Sequence, residues 1–162
     1  MNDRKKHLTD FLQFTTAHLG QVESQRLCRV VEGFVDDAEN SFEALSDGIA
    51  SDDGQQRGLW VLILVDWKAR EEIAWQLNEC LSAFGSSERW ERDCESEFTD
   101  VPLSLFAVSE WLAKKGYALL HLETDSDYYC CFISKATDAA HIADLARAAE
   151  LTLYDHASFH FR

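Results

Sequence analysis

The chain has 162 residues, 46% apolar and 27% charged, which suits one globular domain that needs neither metal ions nor disulfides to fold. Its 29 Asp and Glu residues outnumber its 15 Lys and Arg residues, leaving a formal charge of −14. This charge argues against nucleic acid and anionic membranes as partners, because both repel a negative protein surface.

The first part of the chain is predicted to be helical. Apolar residues recur at intervals of three and four over residues 8–19 and, more clearly, over 27–35. A third and shorter helix is expected over residues 42–49, with Ser41 as its N-cap. Each helix has an apolar face that must pack against another part of the protein.

The middle of the chain begins with an apolar run. Residues 59–65 are apolar at every position, which predicts a strand covered on both faces and therefore central in its sheet. With seven residues, this run is far shorter than the roughly 20 that a membrane span requires. A helix is predicted over residues 71–84, and the strongly polar residues 86–99 are predicted to form a loop.

The last third of the chain alternates between helix and strand. A helix is expected to start near Pro102, because proline is well tolerated in a first helical turn. The remaining elements are strands over 117–122 and 128–133 joined by a turn at 124–127, a helix over 139–149, a strand over 151–154 and a strand-like tail over 157–162.

This order predicts an α+β fold, with a mixed four-stranded sheet backed by helices and an N-terminal helical segment. Residues 1–50 form the helical part and residues 58–154 the sheet-containing core of a single domain, 1–162. The five cysteines, an odd number without a Cys-x-x-Cys pair, predict reduced thiols and a cytoplasmic protein. Cys130 and Cys131 are neighbours on a strand and should point to opposite faces of the sheet.

One edge of the predicted sheet carries most of the candidate functional residues. If strands 59–65 and 117–122 pair in parallel, their carboxyl ends meet at the edge where open α/β sheets bind ligands. The residues that we expect to line this surface are Asp66, Trp67, Glu71, Trp75, Asp125 and Asp127. They permit three interpretations: ordinary turn and packing residues, a docking surface for a basic protein, or an oxygen-ligand site for Mg²⁺ or Ca²⁺.

A second acidic feature lies in the helical part. Between Arg29 and Arg57 there are eight acidic residues and no basic residue, which is typical of a solvated helix face or of a surface that attracts a basic partner. The candidate partner-binding residues in this segment are Asp36, Asp37, Glu43 and Asp47.

Motifs for catalysis or cofactor binding are missing from the sequence. There is no Gly-x-Ser-x-Gly motif and no glycine-rich phosphate loop. His156 and His160 have a metal-ligand spacing but lack a nearby third ligand. We therefore predict neither a cofactor nor a metal ion.

Two segments carry a resemblance to a known family. Residues 62–76, which read LILVDWKAREEIAWQ, and the hairpin from Gly116 to Tyr128 with Asp125 and Asp127 are similar to a bacterial family described only as a domain of unknown function. The likeness covers about residues 58–154. Small acidic proteins of this kind also resemble polymorphic-toxin immunity proteins, which neutralise a toxin by binding it, and this resemblance implies binding rather than catalysis.

We therefore expect a non-enzymatic, acidic protein-binding module, most concretely an immunity protein that neutralises a basic toxin or effector. The main alternative is a metal-assisted hydrolase that uses Asp66, Asp125 and Asp127. A homo-oligomeric structural subunit is a third possibility, and the sequence leaves the oligomeric state open.

Overall fold

The computed structural model describes residues 2–91 and 100–160. Most of the polar loop predicted over 86–99, including Cys94, and the end of the tail lie outside the described residues. The described ranges hold seven α-helices and four strands. In chain order these are α1 (Asp3–Thr15), α2 (Gln21–Val35), α3 (Ser41–Ala50), β1 (Ile63–Asp66), α4 (Glu72–Ala83), α5 (Val101–Ala113), β2 (Tyr117–Leu122), β3 (Tyr128–Lys135), α6 (Ala139–Ala148), β4 (Leu153–Tyr154) and α7 (His156–His160).

The four strands form one sheet in the order β1-β3-β2-β4, and every neighbouring pair is antiparallel. The predicted α+β class, the four strands and the N-terminal helical part are confirmed. The sheet is not mixed, however, because β3 lies between β1 and β2 and the two do not pair in parallel. They still run in the same direction, since Asp66 of β1 faces Tyr128 and Leu122 of β2 faces Cys130.

Helices cover both faces of the sheet, giving three layers. One apolar core joins α1, α2, α3 and α6 to the face that carries Cys130 and Phe132. The other joins α4 and α5 to the face that carries Cys131 and Ile133. Cys130 and Cys131 therefore point to opposite faces, as predicted from their adjacent positions on a strand.

Strand β1 lies at an edge of the sheet, so the prediction that it is central is wrong. Its free edge is instead bonded by two glutamine side chains. The Gln76 amide accepts a hydrogen bond from Leu64 N–H and donates one to Leu64 C=O, both at 2.9 Å. Gln55 pairs with Leu62 in the same way, at 2.8 and 3.1 Å. Two side-chain amides thus take the place of a neighbouring strand, which explains how an apolar strand can lie at an edge.

Several element boundaries depend on capping side chains. Asn40, rather than the predicted Ser41, caps α3, since its Oδ1 accepts the Glu43 N–H at 2.8 Å. Asp100 caps α5 by accepting the Leu103 N–H at 2.8 Å. The tail predicted to be strand-like forms the short helix α7, whose Ser158 N–H bonds Asp155 Oδ1 at 2.8 Å.

None of the helices in the described ranges combines the length and the apolar character needed to cross a lipid bilayer.

Candidate functional site

One edge of the sheet gathers the residues that follow β1 and β2. We call this edge the rim and define it as Asp66, Trp67 and the turn 123–127. The Trp67 N–H donates a hydrogen bond to the Asp127 carbonyl at 3.1 Å and so joins the two segments directly. They meet because β1 and β2 point the same way, although β3 separates them.

Trp67 is the most prominent side chain of the rim. About half of it, 50%, is exposed to solvent, whereas most large apolar side chains of the protein are buried. The backbone beneath it is held by Asp66, whose Oδ1 accepts the Lys68 N–H at 3.0 Å and whose carbonyl accepts the Ala69 N–H at 2.9 Å. The Lys68 ammonium lies 4.7 Å from the centroid of the Trp67 ring. The structure thus presents an exposed indole on a well-bonded turn.

The turn after β2 is held by its own side chains. Asp125 adopts a left-handed backbone conformation with φ +54°, and its N–H donates to Glu123 Oε1 at 3.1 Å. The Thr124 hydroxyl closes the turn by donating to the Tyr128 carbonyl at 2.9 Å. The side chains of Asp125 and Asp127 remain exposed. The rim therefore carries three exposed aspartates, Asp66 included, and an exposed tryptophan that has the Lys68 ammonium at its ring.

Trp75 lies in a separate aromatic cluster. Its ring centroid is 5.2 Å from that of Trp60 and 4.7 Å from the Arg57 guanidinium, and its indole N–H donates to the Glu72 carboxylate. Trp75 is half-buried in this packing, whereas Glu71 is exposed just before α4. Trp75 thus packs from α4 against Trp60 and Arg57, and Trp67 is the tryptophan of the rim.

The acidic residues of the helical part are partly engaged in local contacts. Asp36 lies 3.8 Å from the Lys5 ammonium, and Asp37 is exposed beside it. Glu43 accepts the Glu39 N–H at 2.9 Å while its own N–H bonds the Asn40 side chain, an arrangement that stabilises the start of α3. Glu43 therefore has a structural role at the start of α3. Asp36 has a basic neighbour, Lys5 of α1.

Asp47 connects the acidic helix α3 with the rim through Tyr128. The Tyr128 ring lies 6.3 Å from the ring of Phe42 in α3. Burial raises the pKa of the Tyr128 hydroxyl, a hydrogen bond with Ser46 lowers it, and the negative charge of Asp47 raises it further. Because Tyr128 also faces Asp66 across the sheet, the exposed Asp47 extends the acidic surface of the rim onto α3.

The structure also has a pocket beside the rim that the sequence analysis missed. It measures about 370 Å³ and lies between the ends of β2 and β3, the start of α5 and helix α7. His121 is buried there, and its ring stacks on Phe159 with centroids 3.8 Å apart. The lining residues are Pro102, Leu103, Phe106, His121, Leu122, Glu123, Thr124, Ser126, Tyr128, Tyr129, Cys130, Tyr154 and Phe159.

The described residues hold neither a cluster of metal ligands nor an exposed thiol. Within residues 2–91 and 100–160, no three His, Cys, Asp or Glu side chains are arranged to hold a metal ion. The described cysteines are buried, and burial raises the thiol pKa of Cys28 to about 11 and raises those of Cys80, Cys130 and Cys131 well above the ordinary thiol value. These thiols stay protonated at neutral pH and are poor nucleophiles.

A family model described as "Domain of unknown function (DUF6630)" matches residues 4–157, and the chain belongs to this family. The match includes the N-terminal helices, so it extends well beyond the resemblance over residues 58–154. No curated protein and no solved structure shows significant similarity to the chain.

Proposed function

We propose that this member of the DUF6630 family is a non-enzymatic module that binds a basic protein through the rim. The observation that carries the proposal is the exposure of Trp67, 50%, on a turn fixed by backbone hydrogen bonds, at an edge that also carries the exposed residues Asp66, Asp125 and Asp127. An exposed tryptophan at a predominantly acidic edge, with the Lys68 ammonium at its ring, suits an interface anchor for a basic partner.

The tryptophan supplies the binding energy in this proposal. Tryptophan residues that become fully desolvated at protein interfaces commonly contribute about 2 kcal/mol or more to binding. Little conformational entropy is lost when Trp67 binds, because the Asp66 contacts to Lys68 and Ala69 already order its backbone. The part of the binding cost that comes from ordering this backbone is therefore small.

The carboxylates supply selectivity and a fast encounter. Asp66, Asp125 and Asp127 are exposed, and Asp47 adds a fourth charge through its position beside Tyr128. Exposed charges add little to affinity individually, but together they accelerate association with an oppositely charged partner and exclude acidic ones. The overall charge of −14 acts in the same direction.

The most concrete form of the proposal is an immunity protein that covers the basic surface of a toxin or effector. Such binding needs an exposed surface and no catalytic group. Reduced, buried cysteines also suit a reducing compartment, and we place the proposed encounter in the cytoplasm.

Affinity capture from native cells with matched variants tests this function. Wild-type protein, Trp67→Ala and the double variant Asp66→Asn/Asp127→Asn are immobilised, and bound proteins are identified by mass spectrometry. The control is Asp52→Asn/Asp53→Asn, which removes the same charge from an exposed loop that precedes β1, at the opposite end of that strand from the rim. Each variant is first shown to fold by circular dichroism.

We expect the wild-type and control proteins to capture the same basic protein, and both rim variants to lose most of it. The proposal is wrong if the captured protein is acidic, or if the rim variants retain it as well as the control does.

A further inference from the structure

The pocket beside the rim combines aromatic walls with a carboxylate. Six aromatic rings contribute to its lining, those of Phe106, His121, Tyr128, Tyr129, Tyr154 and Phe159. Glu123 lies at the same wall, partly buried, with Oε1 accepting the Asp125 N–H. No Lys or Arg is found among the lining residues that the structure describes. This composition favours a cation that also has a flat or apolar surface.

The helix end at the pocket needs separate consideration, because a helix N-terminus attracts anions. Pro102 and Leu103 of the first turn of α5 line the pocket, but the carboxylate of Asp100 already caps this helix. Burial and the charge of Asp100 both raise the pKa of Tyr129, which places that carboxylate near the pocket wall. The local field therefore favours a positive ligand.

The mouth of the pocket is accessible and opens beside the rim. Leu103 is 49% exposed, and Ser126 is exposed on the turn that also carries Asp125 and Asp127. Deeper in the pocket, the stacked pair of His121 and Phe159 and the edge of Tyr129, whose ring centroid is 6.0 Å from that of Phe159, form an apolar wall. A side chain that enters there passes from an acidic surface to an aromatic interior.

We propose that this pocket receives an arginine side chain of the basic partner, an inference that rests on the proposed function. A guanidinium group is planar, stacks on aromatic faces and donates hydrogen bonds to carboxylates, and Glu123 supplies a carboxylate among the lining residues. The alkyl stem of arginine suits the apolar mouth at Leu103. A lysine ammonium is more strongly hydrated and would gain less from these walls.

A direct titration tests the pocket without the partner. The probe is Nα-acetyl-arginine amide, and its neutral counterpart is Nα-acetyl-citrulline amide, which has nearly the same shape without the positive charge. Binding of both is measured by isothermal titration calorimetry on the full chain. The test variants are Glu123→Gln and Phe159→Leu. Glu123→Gln keeps an oxygen that can accept the Asp125 N–H. The control is Glu71→Gln, at an exposed position outside the pocket lining.

We expect the arginine probe to bind the wild type and the Glu71→Gln control equally. Citrulline should bind at least ~5-fold more weakly, Glu123→Gln should weaken the arginine probe by ~5-fold, and Phe159→Leu should weaken it by ~2- to 5-fold. The inference is overturned if the arginine probe fails to bind, if citrulline binds as well, or if Glu123→Gln has no effect.

The Trp67→Ala variant separates this inference from the proposed function. Trp67 does not line the pocket, so Trp67→Ala should leave binding of the arginine probe unchanged while it abolishes capture of the partner. If the protein captures a basic partner but does not bind the arginine probe, only the arginine pocket is refuted. If it binds the arginine probe but captures no basic partner, the proposed docking of a basic protein at the rim is refuted.

Discussion

The edge of β1 provides a sharp test of how this fold is held together. Gln76 is only 4% exposed, and its amide makes two hydrogen bonds of 2.9 Å to Leu64 while Oε1 also accepts the Trp60 indole N–H at 3.4 Å. In Gln76→Met the side chain keeps its length and much of its volume but loses all of these bonds. The backbone N–H and C=O of Leu64 then remain inside the protein without a partner.

The size of the effect follows from the number of groups left unpaired. Each buried group without a hydrogen bond costs about 1–3 kcal/mol, so the two backbone groups of Leu64 should lower the free energy of unfolding by about 2–6 kcal/mol. The matched control is Gln25→Met, at an exposed position in α2, which should change stability by less than about 0.5 kcal/mol.

Urea unfolding at pH 7, followed by tryptophan fluorescence and circular dichroism, measures both variants. Size-exclusion chromatography with light scattering on the same samples shows whether the exposed edge of β1 now pairs between molecules. If Gln76→Met has the same unfolding midpoint as Gln25→Met, the glutamine side chain does not replace a neighbouring strand and this explanation of the edge is wrong.

Two further predictions concern pH and backbone packing. Burial, together with the charge of Lys135, lowers the pKa of His18 to about 4, and its ring stacks on Phe84 at 3.7 Å. As the pH falls, the His18 imidazole therefore binds a proton in the unfolded chain before it does so in the folded protein, and the free energy of unfolding should fall between pH 6.5 and pH 4. His18→Gln should remove up to about 2–3 kcal/mol of this loss. The loss is measured as the difference between the free energies of urea unfolding at pH 7 and pH 4.5. An equal pH dependence in wild type and variant would refute the assignment to His18. A Cβ at Gly54 would lie 2.0 Å from the Ile49 carbonyl oxygen, whereas one at Gly33 in α2 meets nothing within 4 Å. Gly54→Ala should thus destabilise the protein by about 1–3 kcal/mol, and Gly33→Ala should stabilise it by about 0.5–1 kcal/mol. Thermal unfolding measures both variants. If the two substitutions shift the melting temperature in the same direction, this reasoning is wrong.

The helices were predictable because their cores depend on local spacing. The stripe over residues 27–35 matches α2, in which Leu27, Val31 and Val35 are buried as expected. The start of α3 differs by one residue because Asn40 and Ser41 are both good capping residues, and only the backbone decides between them.

The position of β1 could not be derived from its apolar pattern. The pattern correctly indicated a strand covered on both faces, since Ile63 and Val65 are buried and Leu64 is partly buried. Whether such a strand is central depends on what bonds its backbone, and here Gln55 and Gln76 do so from other parts of the fold. Single polar residues at these positions give no signal of that role in the sequence.

The sequence predicted that the rim residues meet at one edge of the sheet, but the strand pairing assumed for this prediction was wrong. Strands β1 and β2 do point in one direction, which brings Asp66, Trp67 and Asp127 together, but through β3 rather than by direct pairing. The pocket was missed because its walls come from α5, β2, β3 and the tail. Phe159 in the tail was the available signal, but its alternating pattern indicated a strand instead of the helix that stacks it on His121.

The rate at which the captured partner associates with the protein, measured as a function of salt, tests the central claim most directly. Stopped-flow tryptophan fluorescence gives this rate at 20, 50 and 150 mM NaCl for wild type and for Asp66→Asn/Asp127→Asn. If the rim attracts a basic protein, the wild-type rate should fall steeply as salt screens the carboxylates, by about 10-fold or more, and the double variant should associate more slowly with a shallower dependence. A wild-type rate that stays constant across this range would contradict electrostatic docking at the rim.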